Sequence, residues 1–243
     1  MKKIILITLM MMLAVSAFSQ QILKVKVDAI PNGEYDESLG TIRMTGEVLN
    51  GQKNGTWTEY HPGLDIPHYI IQYKDDMIDG LYLEFDRQAY LIKKSEYENN
   101  MLDGVSNEWA RGGRVLKKQD YKEGKLDGKS YLYYDNGFLQ EVSEYKDGKK
   151  NGVTTWYVYA DKKQGGKVAM YTYLNGKFEG VQEIYYEDGT VSSRKMFSDN
   201  VQNGTAVEFY EDGSIKSESI YKNGELKGKV KEYKKGIKMP ETK

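Results

Sequence analysis

The chain has no cysteine among its 243 residues. That excludes disulfide scaffolds, thiolate nucleophiles, iron–sulfur clusters and cysteine-ligated zinc. Histidine is scarce: His61 and His68 leave little material for a metal centre or a proton shuttle. Net charge is nearly absent, a formal −1 from 35 basic and 36 acidic side chains, so the basic face of a nucleic-acid binder is not expected. Proline is limited to 4 residues. Beyond residue 15 no apolar run approaches the roughly 20 residues of a membrane-spanning helix. No later segment sustains the apolar period of about 3.6 residues that a helix would show. Glycine and tyrosine, at 25 and 21 residues, are abundant.

The N-terminus reads as an address. Lys2 and Lys3 precede an apolar run over residues 4–15, followed by Ser16-Ala17-Phe18-Ser19. A charged start, an apolar stretch of about a dozen residues and small residues two apart make a secretory signal. Residues 1–19 are expected to be cleaved after Ser19, giving an exported chain, periplasmic or secreted, with no transmembrane segment and no cysteine for lipid attachment.

Self-similarity dominates the rest. Gly55, Gly80, Gly104, Gly128, Gly152, Gly180, Gly204 and Gly228 recur at spacings of 25, 24, 24, 24, 28, 24 and 24 residues. Five residues after each lies an aromatic: Tyr60, Phe85, Trp109, Tyr133, Tyr157, Tyr185, Phe209 and Tyr233. Seven residues before each, from the second on, lies another: Tyr73, Tyr97, Tyr121, Tyr145, Tyr173, Phe197 and Tyr221, with Val48 in that place ahead of Gly55. One unit resolves into a strand at 129–134, a turn at Asp135-Asn136-Gly137, a strand at 138–146 and a turn at Asp147-Gly148. Asn-Gly and Asp-Gly supply the positive φ that tight hairpins need. The period predicts an all-β fold, an elongated antiparallel meander of 24-residue hairpin repeats over residues 46–236. Residues 20–45, with an alternating stretch at 23–29 and a decayed repeat turn at 35–40, are expected to form an N-terminal β cap. Residues 237–243 are expected to be a flexible tail.

Strand alternation assigns faces. The aromatic five after the glycine shares parity with positions one and three after it. The aromatic seven before shares parity with an apolar place thirteen before: Leu91, Val115, Leu139, Val191 and Ile215. A ladder of ring–ring and ring–aliphatic contacts between hairpins is expected, each worth roughly 0.2–1 kcal/mol, since no unit buries enough alone. The framework glycines either admit a neighbouring ring against the backbone or supply positive φ.

The clearest unit is Tyr173-Leu174-Asn175-Gly176-Lys177-Phe178-Glu179-Gly180-Val181-Gln182-Glu183-Ile184-Tyr185-Tyr186-Glu187-Asp188-Gly189. It fits Tyr-x-x-Gly-x-x-x-Gly-x-x-x-x-Tyr-x-x-x-Gly and resembles the MORN-repeat variant family, over about residues 46–236. The resemblance implies a single-layer twisted sheet. From bacterial chains of this variant class it also implies an antitoxin-like or immunity role toward a partner protein.

No catalytic constellation is evident. A triad would have to draw on a loop histidine without a nucleophile elbow. Glu59, Glu84, Glu108, Glu208 and Glu232 recur at one repeat position, the pattern of a solvated face and not of a tuned acid–base pair. No cofactor is implied. The reading is a non-enzymatic exported scaffold that binds a protein partner. The alternative is glycan or cell-wall binding through exposed aromatic rows, with Tyr134, Trp156, Tyr159, Tyr186 and Tyr210 as candidates; the simpler account of these rings is cover for the two sheet faces. Two irregularities remain. Four extra residues near 160–165 are a contact loop or a tolerated insertion. The loop from His61 to His68 places His61, Asp65 and His68 together in sequence, conceivable metal ligands but more ordinarily solvated turn residues.

Overall fold

The structure, a computed structural model, describes residues 30–160 and 163–236. The signal segment, the expected strand at 23–29 and the tail at 237–243 lie outside the described residues. Those described form strands and their connections, with no helix. Nineteen strands, from Gly33–Leu39 to Glu225–Glu232, make one antiparallel meander in which sequence neighbours pair. Met101–Leu102 and Lys149–Lys150 are short lead-ins to Gly104–Trp109 and Gly152–Ala160. The first and last strands do not pair, so the sheet is open.

Two turn types alternate along the meander. Along one edge run two-residue turns with both residues at positive φ, such as Asp75-Asp76, Asn99-Asn100, Asp147-Gly148 and Asn223-Gly224. That geometry matches strand twist and selects Asn, Asp and Gly. Each such turn is pinned to the previous unit: Gly148 N–H donates to Leu126 O at 2.8 Å, and Gly224 N–H to Gln202 O at 2.9 Å. Along the other edge, Gly137 N–H donates to Tyr134 O at 2.7 Å while Gly137 itself sits at φ 89°. This is a type I turn followed by a left-handed residue.

All eight framework glycines have positive φ, from 67° at Gly55 to 120° at Gly128. The cause is a slip in pairing with the preceding strand: Leu126 opposes Tyr121, and the next pair is Ser130 with Gln119. The slip denies the following N–H a ladder partner, and ahead of Gly80, Gly104 and Gly128 the side chain eight residues before the glycine supplies one. Gln72 Oε1 accepts from Leu81 N–H at 2.7 Å, and Asp120 Oδ2 from Lys129 N–H at 3.0 Å. A Cβ on Gly152 would run into Glu144. At Gly80, Gly104, Gly128 and Gly152 the close neighbour is thus a polar side chain, and at Gly204 it is Met196; at none of these is it a ring. The ring-against-glycine contact instead belongs to Gly46, which backs onto the Trp57 indole.

Simple alternation fails at a second slip. The apolar residue thirteen before each glycine opposes the ring of its own hairpin, as in Phe85 with Leu91, Tyr185 with Val191 and Phe209 with Ile215. One skipped residue moves it away from the tyrosine with which it shares parity. Buried Val207, Phe209 and Ile215 accordingly pack together with Val191 and Tyr233. The expected turn at 35–40 is also corrected: the strand runs through Leu39, pairs with Ile42–Leu49, and turns at Gly40-Thr41. Tyr35 stays extended because its ring packs 5.2 Å from Trp57, beside fully buried Val48.

On the other face a row of opposed residues crosses the sheet, and its chemistry changes along the way. It begins apolar, Trp57 opposite Ile71 and Ile71 opposite Tyr82, with Tyr82 and Tyr97 rings 5.8 Å apart. In the middle it is hydroxylic. Ser95 and Ser106 share a hydrogen bond of 2.8 Å, Gln119 Nε2 donates to Ser130 at 2.9 Å, and Ser143 donates to Glu141. Rings return where Trp156 meets Tyr171 at 5.1 Å and Phe178 meets Phe197 at 5.8 Å. The expected continuous ladder is therefore broken into rings in the first hairpins and again from Trp156 to Phe197, with a hydrogen-bonded stretch between, because serine is too short to touch the next ring.

Candidate binding surface

Tyr134, Tyr186 and Tyr210 each stand six residues after a framework glycine, where a strand enters its loop. Each is half-buried, and its hydroxyl donates one unit onward: to Tyr157 O at 2.9 Å, Phe209 O at 2.7 Å and Tyr233 O at 3.1 Å. His61 occupies the same position in the first unit, with Nε2 3.0 Å from Phe85 O. These side chains fasten each loop to the next hairpin. The signal was present in the sequence: all three tyrosines precede the next unit's ring residue by 23.

Trp156 lies within the ring row. Its Nε1 donates to Glu141 Oε2 at 2.7 Å, and Lys150 Nζ sits 4.9 Å over the indole and 5.5 Å over Tyr173. Lys53 repeats the arrangement over Trp57 and Tyr73, at 4.5 and 5.1 Å; it is only 8% exposed, and burial lowers its pKa despite the charges of Asp76 and Glu59. Tyr159 is exposed and stacks on Phe138 at 5.5 Å. The five candidate rings therefore do not make one exposed row: three are loop fasteners, one carries a lysine, and one is exposed against Phe138.

The histidine loop does not gather its three expected ligands. His61 and His68 stack at 4.2 Å. Burial, with the His61 charge second, pushes His68 down to about 4, and Glu59 Oε1 at 3.8 Å does not offset this. Asp65 points outward toward Arg43 Nη1 at 3.6 Å. No group of three ligating side chains is poised for a metal among the described residues. At the insertion, Tyr159 and Ala160 pair with Gln164 and Lys163, so the extra residues lengthen a hairpin; residues 161 and 162 lie outside the described set.

Two surface features remain. A recess of about 450 Å³ opens over the last hairpins. Its lining includes Ala206 and Ser219, which oppose each other in the row that holds Tyr82 and Tyr171 elsewhere. Smaller side chains leave the space. The opposite face changes along the places eight before each glycine, from Gln72, Glu96, Asp120 and Glu144 to Thr172, Met196 and Ile220. Met196 and Ile220 are 41% and 59% exposed, with exposed Val153 and Val201 on the same face. No helix among the described residues is long and apolar enough to cross a membrane.

The family model of the MORN repeat variant matches the chain at residues 126–147, 178–199 and 202–223. Each match begins two residues before a framework glycine, at Gly128, Gly180 and Gly204, so three units carry the motif in one register. No curated protein matches the chain.

Proposed function

We propose that this chain, a repeat scaffold carrying MORN-variant units, is a non-enzymatic exported protein that binds a protein partner. The observation that carries this reading is the apolar stretch Val153, Met196, Val201 and Ile220, exposed on a face that is acidic further upstream. Clustered exposed apolar side chains mark contact surfaces more often than they serve a lone chain. An open array stabilised unit by unit leaves its faces available for a partner. Export rests on the leader-like residues 1–19 and suits a chain that needs no cysteine. An antitoxin-like or immunity role is one form of this function, with a toxin as the partner. The glycan alternative is weakened because the hydroxyls of Tyr134, Tyr186 and Tyr210 are committed to carbonyls.

The test is crosslinking and capture from envelope fractions with the mature chain and with a Met196→Lys/Ile220→Lys variant of unchanged denaturation midpoint. One protein retained by the first and lost with the second supports the reading. A partner retained equally by both, or none retained by either, removes it.

A further inference from the structure

We propose that the last strand, Glu225–Glu232, receives the first strand, Gly33–Leu39, of a second copy of this chain, so that copies join head to tail. The two strand edges carry this inference; it goes beyond the partner reading above and does not depend on it.

Both strands end the sheet with one edge unpaired among the described residues. Gly33–Leu39 pairs only with Ile42–Leu49, and Glu225–Glu232 only with Ile215–Lys222. Each free edge presents a row of N–H and C=O groups open to a further strand. Glu225–Glu232 is exposed along its whole length, and Gly33–Leu39 everywhere but at Tyr35. The chain entering the first strand leaves the outer edge clear. Ile30 packs on Val48 and Trp57, and Asn32 Oδ1 accepts from Asn50 N–H at 2.6 Å, so residues 30–32 lie toward the second and third strands.

The two edges are complementary on both faces, since opposed residues share a face. On the last strand Lys227 opposes Ile220 and Lys231 opposes Glu218, and Lys229 between them has the same parity, so three lysines stand on the face of Met196 and Ile220. On the first strand the Tyr35 ring packs against Trp57 on the other face, which turns its neighbours Glu34 and Asp36 to the lysine-bearing one. Lys227 is held by Glu225 at 2.7 Å and Asp36 by Arg43 at 2.6 Å, while Lys229, Lys231 and Glu34 form no ion pair with a described residue. The Trp57 face is apolar at both ends: Leu226 and Val230 on the last strand are 42% and 45% exposed, and Leu39 on the first, of one parity with Tyr35, is 58% exposed.

Neighbouring strands alternate in direction, and with the short lead-ins counted into their strands an even number of steps separates the first from the last. The two therefore run the same way. Parallel pairing keeps the faces of the two copies continuous and sets lysine beside carboxylate and aliphatic beside aliphatic. Lysine on an edge strand opposes pairing with another basic edge, so two last strands repel while an acidic first strand is attracted. A head-to-tail contact of this kind does not close on itself, so copies add without a fixed number.

The test is sedimentation velocity of the mature protein at low salt over a range of concentrations. The mean sedimentation coefficient is expected to rise past the value for a dimer, and to fall back at about 0.5 M salt, where the screening length is about 4 Å. Lys229→Glu/Lys231→Glu and Glu34→Lys, each with an unchanged denaturation midpoint, should weaken association by about ten-fold or more, and an equimolar mixture of the two variants should restore it. Absence of association up to about 1 mM overturns the inference. A dimer that grows no further and is unmoved by Glu34→Lys also overturns it, in favour of pairing between two last strands, and so does a mixture that stays as weakly associated as its components. Each of these failures leaves the Met196/Ile220 capture result standing, so the two proposals fail separately.

Discussion

Ala89 sits at φ 63° in the loop position that Gly113, Gly137, Gly189 and Gly213 fill in other units. A left-handed conformation costs an L-residue roughly 1–2 kcal/mol, while glycine costs roughly 0.5–1 kcal/mol in chain entropy. Ala89→Gly should therefore stabilise the protein by about 0.5–1 kcal/mol in chemical denaturation, and Gly137→Ala should destabilise it by a similar amount. Destabilisation by the first change would contradict the assigned backbone. At this scale the sequence was readable wherever one residue type has one physical use. Asn, Asp and Gly in tight turns announced positive φ, and so did the glycine period. The neighbour of each framework glycine was not readable. Whether a ring or Glu144 faces Gly152 depends on a slip in strand pairing that leaves no mark on composition.

The loop fasteners belong to the scale of the element. Tyr186→Phe removes the hydroxyl that reaches Phe209 O and should cost about 1 kcal/mol, the net worth of one hydrogen bond. Tyr159→Phe, at an exposed ring, should stay within about 0.5 kcal/mol. Denaturation midpoints of the two variants decide, and equal effects would mean that the loops are not tied through these hydroxyls. The hairpins and their order were legible because a 24-residue register repeats so often. Facial assignment was legible only up to the slips. Beyond Glu84 or Glu208 the parity count points Leu91 and Ile215 to the wrong face, since alternation assumes an unbroken ladder. Tyr134, Tyr186 and Tyr210 looked like a binding row because their identity was visible and their partners, backbone carbonyls, were not.

Across the whole molecule, almost every strand meets only its sequence neighbours, and no closure joins the first to the last. The buried residues likewise fall into separate clusters: Val48 with Trp57, Tyr69 with Ile71 and Tyr82, and Val207 with Phe209 and Ile215. The recess was not legible in the sequence. It needs Lys195, Ala206 and Ser219, from three neighbouring strands, to share one row, and the short side chains at 206 and 219 to leave the space. Such an array has stability that adds up from neighbour to neighbour, with ends that open more easily than the middle. Native-state amide hydrogen exchange of the mature protein measures this most directly. The central strand Leu139–Lys146, with neighbours on both sides, should show the highest opening free energy, falling stepwise toward the exposed strand Glu225–Glu232. A single opening free energy shared by every strand would contradict the stacked-hairpin account.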